Sequence, residues 1–207
     1  MGNCLFLRRG AAPSSEPQLG DLEPGTLISI GENGVQIPFL LLIHDYPAQE
    51  RSLLLRQNCL ENARWGVTGD YYFESTADGY CNSYHLSLDV SVANQIIDVG
   101  IQSYAGYGDL QILNRKCFLL SATELGDTEA DVEGSAIPYF DSVQSRICVQ
   151  DGTSTARNWW TRTRENSSEA WRVTTAGGLN TNTKGGALYY RPAFTLPSNF
   201  EPTLWEA

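Results

Sequence analysis

The chain has 207 residues, 42% of them hydrophobic and 11% aromatic, enough for one domain with a real core and against wholesale disorder. A formal net charge of −10 argues against binding nucleic acid by neutralising phosphates. The longest apolar run, IPFLLLI at 37–43, falls far short of the roughly 20 residues a membrane-spanning helix needs, so no membrane insertion is expected.

Residues 1–25 read as an extended arm. The start, MGNCLFLRRG, puts its apolar residues before its arginines, the reverse of a secretion signal. Position 6 is Phe, where a myristoylation motif has Ser or Thr. GAAPSSEPQLGDLEPG then carries three prolines and no periodicity. Such a segment has no core of its own and reads as an anchor for a partner subunit, leaving 26–207 as the folded domain.

TLISI (26–30), a Gly-Glu-Asn-Gly turn and VQIPFLLLIHDY (35–46) predict a β-hairpin. RSLLLRQNCL (51–60) predicts another strand. Within the mixed stretch 61–100, SYHLSLDVSVANQI opens as a strand and closes as a helix. SYAGYGDLQILN reads as a Gly/Tyr loop followed by a helix end, and KCFLLSATEL (116–125) as the clearest single strand. The segment 126–142 reads as a solvated acidic loop. Asp127, Glu129, Asp131 and Glu133 alternate there, but Val132 stands where a calcium loop of the EF-hand type needs Gly. RICVQ, NWWTRT, AWRVTT and ALYYRPAFTL predict four short strands split by Gly, Asn and Ser turns. The fold class is α+β, mostly β, with one or two helices and no internal repeat.

Five cysteines stand at 4, 59, 81, 117 and 148, an odd number with no CxxC, and read as small buried hydrophobes in a reducing assembly compartment. His44 and His85 have no partner at ligand spacing, so no metal site is expected. His85, Asp89 and any serine assemble a triad on paper, but no GxSxG elbow supports it. No phosphate-binding glycine loop or dinucleotide fingerprint occurs. The expectation is no catalytic residue, no cofactor and no enzymatic activity.

The segment 157–183, RNWWTRTRENSSEAWRVTTAGGLNTNT, combines three tryptophans with Thr, Ser, Asn, Arg and Gly. That pairing of aromatic area with adaptable polar groups is characteristic of recognition surfaces. Adjacent Trp159 and Trp160 face opposite sides of a strand, one inward and one able to reach outward. Asn158, Arg164, Asn166, Asn180, Asn182 and Lys184 read as exposed.

NWWTRT, WRVTTAGG and YYRPAFTLP, in that order, resemble the C-terminal signature of a lectin-like domain common in gut bacteria and their phages. KCFLLSATELG resembles the same family's central block and LLLRQNCL its upstream strand, so the likeness spans roughly 25–197. The family is similar to C-type-lectin-like folds of the formylglycine-generating-enzyme type, shared by phage tropism determinants and other variable proteins of diversity-generating retroelements. The resemblance implies a structural frame of Trp160, Arg162, Gly177, Arg191 and Pro192. It implies a display face drawn from Asn158, Arg164, Asn166, Ser168, Trp171, Asn180, Asn182 and Tyr189. The late pair of reactive cysteines that the oxidising enzymes on the related fold need is not matched, since only Cys148 lies late.

The function implied is a bacteriophage virion protein, in a tail or capsid fibre, binding a host-surface glycan or protein through that face. The arm would join other virion subunits, oligomerisation would multiply weak affinity, and assembly would take place in the bacterial host cytoplasm. The missing signal peptide and odd cysteines favour this over an exported bacterial surface protein. The alternative is a structural decoration or cement protein with no host ligand.

Overall fold

The computed structural model describes residues 17–105, 109–130 and 132–206. Fifteen strands and two helices are present among them: β1 (Leu27–Glu32), β2 (Val35–His44), β3 (Arg51–Arg56), β4 (Asn62–Arg64), α1 (Thr76–Ser83), α2 (Val90–Ala93), β5 (Val99–Tyr104), β6 (Leu110–Arg115), β7 (Cys117–Phe118), β8 (Cys148–Val149), β9 (Ala156–Arg157), β10 (Trp159–Arg164), β11 (Glu169–Val173), β12 (Leu179–Thr183), β13 (Ala187–Tyr189), β14 (Ala193–Pro197) and β15 (Thr203–Leu204). The domain is mostly β with few helices.

One antiparallel sheet has the order β15-β1-β2-β3-β14-β7, and a second has the order β12-β11-β10-β13-β4. In the second, β10 and β13 run parallel, with Trp159 opposite Tyr189. Two hairpins, β5-β6 and β8-β9, complete the strands.

The first sheet explains the apolar runs of the N-terminal half, because both of its faces are covered. Leu40, Leu42, Leu53 and Leu55 point into a core shared with Trp159, Trp160 and Val173 of the second sheet and with Ala77 and Cys81 of α1. Phe39, Leu41 and Leu54 point the other way, against Leu88, Val92 and Ile96 around α2. The first hairpin forms as predicted. Asn33 and Gly34 supply the two positive φ angles, 50° and 79°, that a tight two-residue turn needs.

The structure corrects several expectations. Packed structure begins before Gly25: Leu19 is fully buried, and its N–H donates to the Phe200 carbonyl (2.7 Å). Residues 1–16, the bulk of the expected arm, lie outside the described residues. α1 has no periodic apolar signal and is started by Ser75, whose hydroxyl accepts from the Asp78 N–H (3.0 Å). Tyr84–Ser87 is a 3-10 turn, not a strand. The predicted helix end at 110–115 is β6, paired along its length with β5 from Val99↔Arg115 to Tyr104↔Leu110. Of KCFLLSATEL only two residues are strand. The rest turns at 121–126, where Glu124 folds inward onto an arginine.

Candidate functional site

Beneath the C-terminal strands lies a buried ion network that joins two sequence blocks far apart in the chain. Arg162 on β10 is fully buried, and each of its five N–H groups has an acceptor. Nη1 donates to Glu124 Oε2 (2.6 Å) and the Leu119 carbonyl (3.0 Å). Nη2 donates to Glu124 Oε1 (2.9 Å) and the Glu133 carbonyl (3.1 Å), and Nε to the Gln102 carbonyl (2.9 Å). The Tyr46 hydroxyl donates to Glu124 Oε1 (2.5 Å), and the Ser121 N–H donates to Glu124 Oε2 (2.9 Å). The Ser and Glu of KCFLLSATELG and the Arg of NWWTRT therefore form one unit.

Glu133 belongs to the same network, which corrects the reading of a solvated loop. It is buried, with Thr163 Oγ1 donating to its carboxylate (2.6 Å) and the Tyr104 N–H doing likewise (2.9 Å). Burial raises its carboxyl above the usual range, and Arg162 pulls against that rise. Asp131 lies outside the described residues. Among those described, no cluster of three His, Cys, Asp or Glu is placed to hold a metal ion.

The implied frame residues are all buried: Trp160, Arg162, Gly177, Arg191 and Pro192. Gly177 has φ of 81°, and a Cβ there would lie 1.8 Å from the Val143 carbonyl oxygen, so no side chain fits. Arg191 donates Nε to the Arg56 carbonyl (2.8 Å) and lies over the Trp159 ring, 5.4 Å from its centroid. Burial lowers its pKa to about 10.

The display set divides. Across the strands Arg164 stands opposite Ala170, Ala170 opposite Asn182, and Arg172 opposite Asn180. Arg164, Arg172, Asn180 and Asn182 therefore share one sheet face. Asn180 is exposed, and the other three are half-buried. Arg172 was not singled out from the sequence, although its place two residues before Thr174 in WRVTT gives it the same parity. Its Nε has no hydrogen-bond partner. Arg164 lies 4.1 Å from the centroid of the Tyr71 ring, a neighbour 93 positions away that no local pattern announces.

The remaining members do other work. Asn166 and Ser168 are exposed in the β10–β11 turn, and the Asn166 Oδ1 accepts from the N–H groups of Ser168 (2.8 Å) and Glu169 (3.0 Å). Asn158, half-buried, accepts from the Thr175 N–H (2.8 Å) and holds a turn at the far end of the sheet. Tyr189 is on the opposite face, its hydroxyl bonded to Gln150 (3.2 Å) and its ring beneath Arg157.

Trp171, Trp159 and Lys184 sit otherwise than expected. Trp171 is buried against Ala122 and Ala130, its Nε1 donating to Glu165 (2.7 Å), because β11 is covered on both faces at this point, Ala170 on the other face being fully buried as well. Trp159 and Trp160 are both fully buried, because the second sheet is covered on both faces at that point. Their indole N–H groups donate to the Arg146 and Ala63 carbonyls, each at 3.0 Å. Lys184 is buried, donating Nζ to the Asp70 carbonyl (2.6 Å) and lying 5.0 Å from the Trp65 ring centroid. Burial first, and then the charge of Arg164, lower its pKa to about 8.

The four described cysteines are buried as expected, but two of them are bonded. Cys59 and Cys148 form a disulfide with Cα atoms 5.9 Å apart, because Cys59 bridges to Gln150 beside β8. Cys81 and Cys117 are buried and free. A separate cavity of about 340 Å3 lies between Tyr46, Gln102, Glu124 and Ile137, above the ion network. No helix among the described residues is long and apolar enough to cross a membrane.

No curated protein matches the chain, and no solved structure matches it. One family model matches residues 49–198, which carry β3 through β14, both sequence blocks of the ion network and the whole of the β10–β12 face. The chain belongs to the family described as domain of unknown function DUF6273.

Proposed function

We propose that this domain is a recognition module of C-type-lectin-like architecture, carried on a bacteriophage particle, that binds a host-surface glycan or protein through the β10–β12 face. The observation that carries the reading is the contrast between frame and face. Arg162, Glu124 and Glu133 are satisfied within the protein, so they fix the strands without serving a ligand. Asn180, Asn182 and Arg172 stand on that rigid frame; the Asn180 Oδ1 accepts from the Thr181 N–H (2.7 Å), and the buried Arg172 Nε has no partner within the protein. A face of this kind binds by hydrogen bonds and is multiplied by oligomerisation.

The Cys59–Cys148 disulfide favours a second reading of the carrier. Such bonds persist outside a reducing cytosol. That suits a released particle, and equally an exported bacterial surface protein bearing the same face.

The test is binding of the purified domain to a panel of gut bacterial cells, beside a variant carrying Arg172→Ala, Asn180→Ala and Asn182→Ala whose fold is checked by thermal unfolding. Strain-selective binding that the variant loses supports the recognition reading. Equal binding by both moves the site elsewhere. Absence of binding by either, even when oligomerised, makes the protein a structural cement.

A further inference from the structure

The charges of this acidic chain are unevenly spread. Residues 144–198 carry seven arginines and lysines against three carboxylates, while residues 17–143 carry five against eighteen. Arg162, Lys184 and Arg191 are buried, so the C-terminal strands present four cations to three carboxylates, a near-neutral region on an acidic domain.

Within that region the cations on the β10–β12 face lack acidic partners. Arg162 is paired with Glu124, but neither Arg164 nor Arg172 forms a salt bridge with any described residue. The nearby acids are turned away. Glu165 accepts from Trp171, and Glu169 accepts from Asn166 Nδ2 (3.0 Å); Trp171 and Glu169 lie at odd positions, on the face opposite Arg172. Asp70 directs its carboxylate to the Val67 N–H (2.8 Å), and Glu74 directs its own to the Tyr71 N–H (3.3 Å). Lys184 is buried, its Nζ donating to the Asp70 carbonyl (2.6 Å), and offers nothing to an external anion. Two arginines without a carboxylate partner, in a chain with ten surplus negative charges, leave a place for one.

We infer that this face takes an acidic glycan, a sugar polymer bearing carboxylate or phosphate groups. The anionic groups lie at the Nη groups of Arg172 and of Arg164, whose Nε is taken by the Asn166 carbonyl (2.9 Å); a guanidinium matches a carboxylate or phosphate with two parallel donors. The hydroxyls of the same sugars meet the Asn180 and Asn182 amides on the neighbouring strand. The acidic remainder of the domain repels long, densely charged polymers, which separates this ligand class from nucleic acid. The inference rests on the reading of this face as a recognition surface.

The experiment immobilises the folded domain and measures binding of polygalacturonate, a ribitol-phosphate polymer, dextran and duplex DNA, at about 50 and about 300 mM salt. One of the two acidic glycans is expected to bind and to weaken at higher salt, with dextran and DNA inert. Arg172→Gln alone, which leaves the Arg164–Tyr71 contact in place, is expected to weaken binding roughly tenfold. The double variant with Arg164→Gln should abolish it. The polymer that binds distinguishes carboxylate from phosphate. Dextran binding that is indifferent to salt and to both substitutions would overturn the acidic-glycan inference while leaving the recognition reading intact. DNA binding as tight as that of the glycan would overturn the ligand class. Inert polymers, together with cell binding that depends on Asn180 and Asn182 but not on the arginines, would show a neutral ligand and overturn the inference. Loss of cell binding altogether removes both.

Discussion

Arg162→Ala should destabilise the domain by about 3–5 kcal/mol, the usual consequence of removing one partner from a buried ion pair. The loss has three sources. Glu124 stays buried with its charge uncompensated. The carbonyls of Leu119, Gln102 and Glu133 lose their donor. The space left by a fully buried arginine collapses poorly. A fold of this size has roughly 5–15 kcal/mol in total, so the variant should lie close to the threshold of unfolding. Arg162→Lys should rescue little, because a point ammonium cannot reproduce the fork that meets both oxygens of Glu124.

The deficit also has a pH signature. The Glu133 carboxyl is already raised by burial, and Arg162 is what opposes the rise. A raised acid contributes most below its unfolded-state pKa and loses that contribution as pH climbs through the folded value. Without Arg162 the carboxyl of Glu133 rises further, so Arg162→Ala should be closer to the parent protein near pH 4 than near pH 7. Urea unfolding at the two pH values checks this. A deficit below about 1 kcal/mol at neutral pH would mean that the network does not hold the strands.

Reduction of Cys59–Cys148, or the pair Cys59→Ser and Cys148→Ser, should cost about 2–5 kcal/mol. The bond closes a sequence separation of 89 residues, and loops of that length lose much entropy in the unfolded chain when closed. It also pins the β8–β9 hairpin, whose Asp151 bonds the buried Arg56, itself paired with Glu32 (2.8 Å). The hairpin should open before the sheets do. Alkylation of the denatured protein should label two more cysteines after reduction than before. A melting temperature indifferent to reductant would contradict the structural role of this bond.

Much of the architecture was legible where one residue's surroundings are local. The Asn33-Gly34 turn and the double-sided apolar strands β2 and β3 follow from period and turn chemistry alone, whereas the alternation expected in β10 fails because Trp159 to Thr163 are all buried. The ends of the acidic loop were not legible, because Glu133 looks like any surface acid until Thr163 and Tyr104 arrive from other strands. β6 was misread because exposed Leu110 and Ile112 stand beside buried Leu113, so apolar residues fall on both faces and the i, i+3 spacing of Leu110 and Leu113 mimics a helix. The display set was read from residue type, whereas burial depends on what covers each face: Trp171 packs under Ala122 and Ala130, Ala170 between Arg164 and Asn182 is buried as well, and the unremarked Arg172 faces the same way as Asn180. Lys184 was misplaced for a related reason: its burial depends on Trp65 and Asp70, more than a hundred positions earlier.

The most direct test is where a ligand touches the domain. The measurement is an amide-resolved NMR titration of the folded domain with polysaccharide from a strain whose cells it binds. Shifts are expected at Arg172, Asn180 and Asn182, in both backbone and side-chain resonances, spreading to Arg164 and Tyr71. Shifts confined to Tyr46, Gln102 and Ile137 around the 340 Å3 cavity, with the β10–β12 face silent, would contradict this expectation.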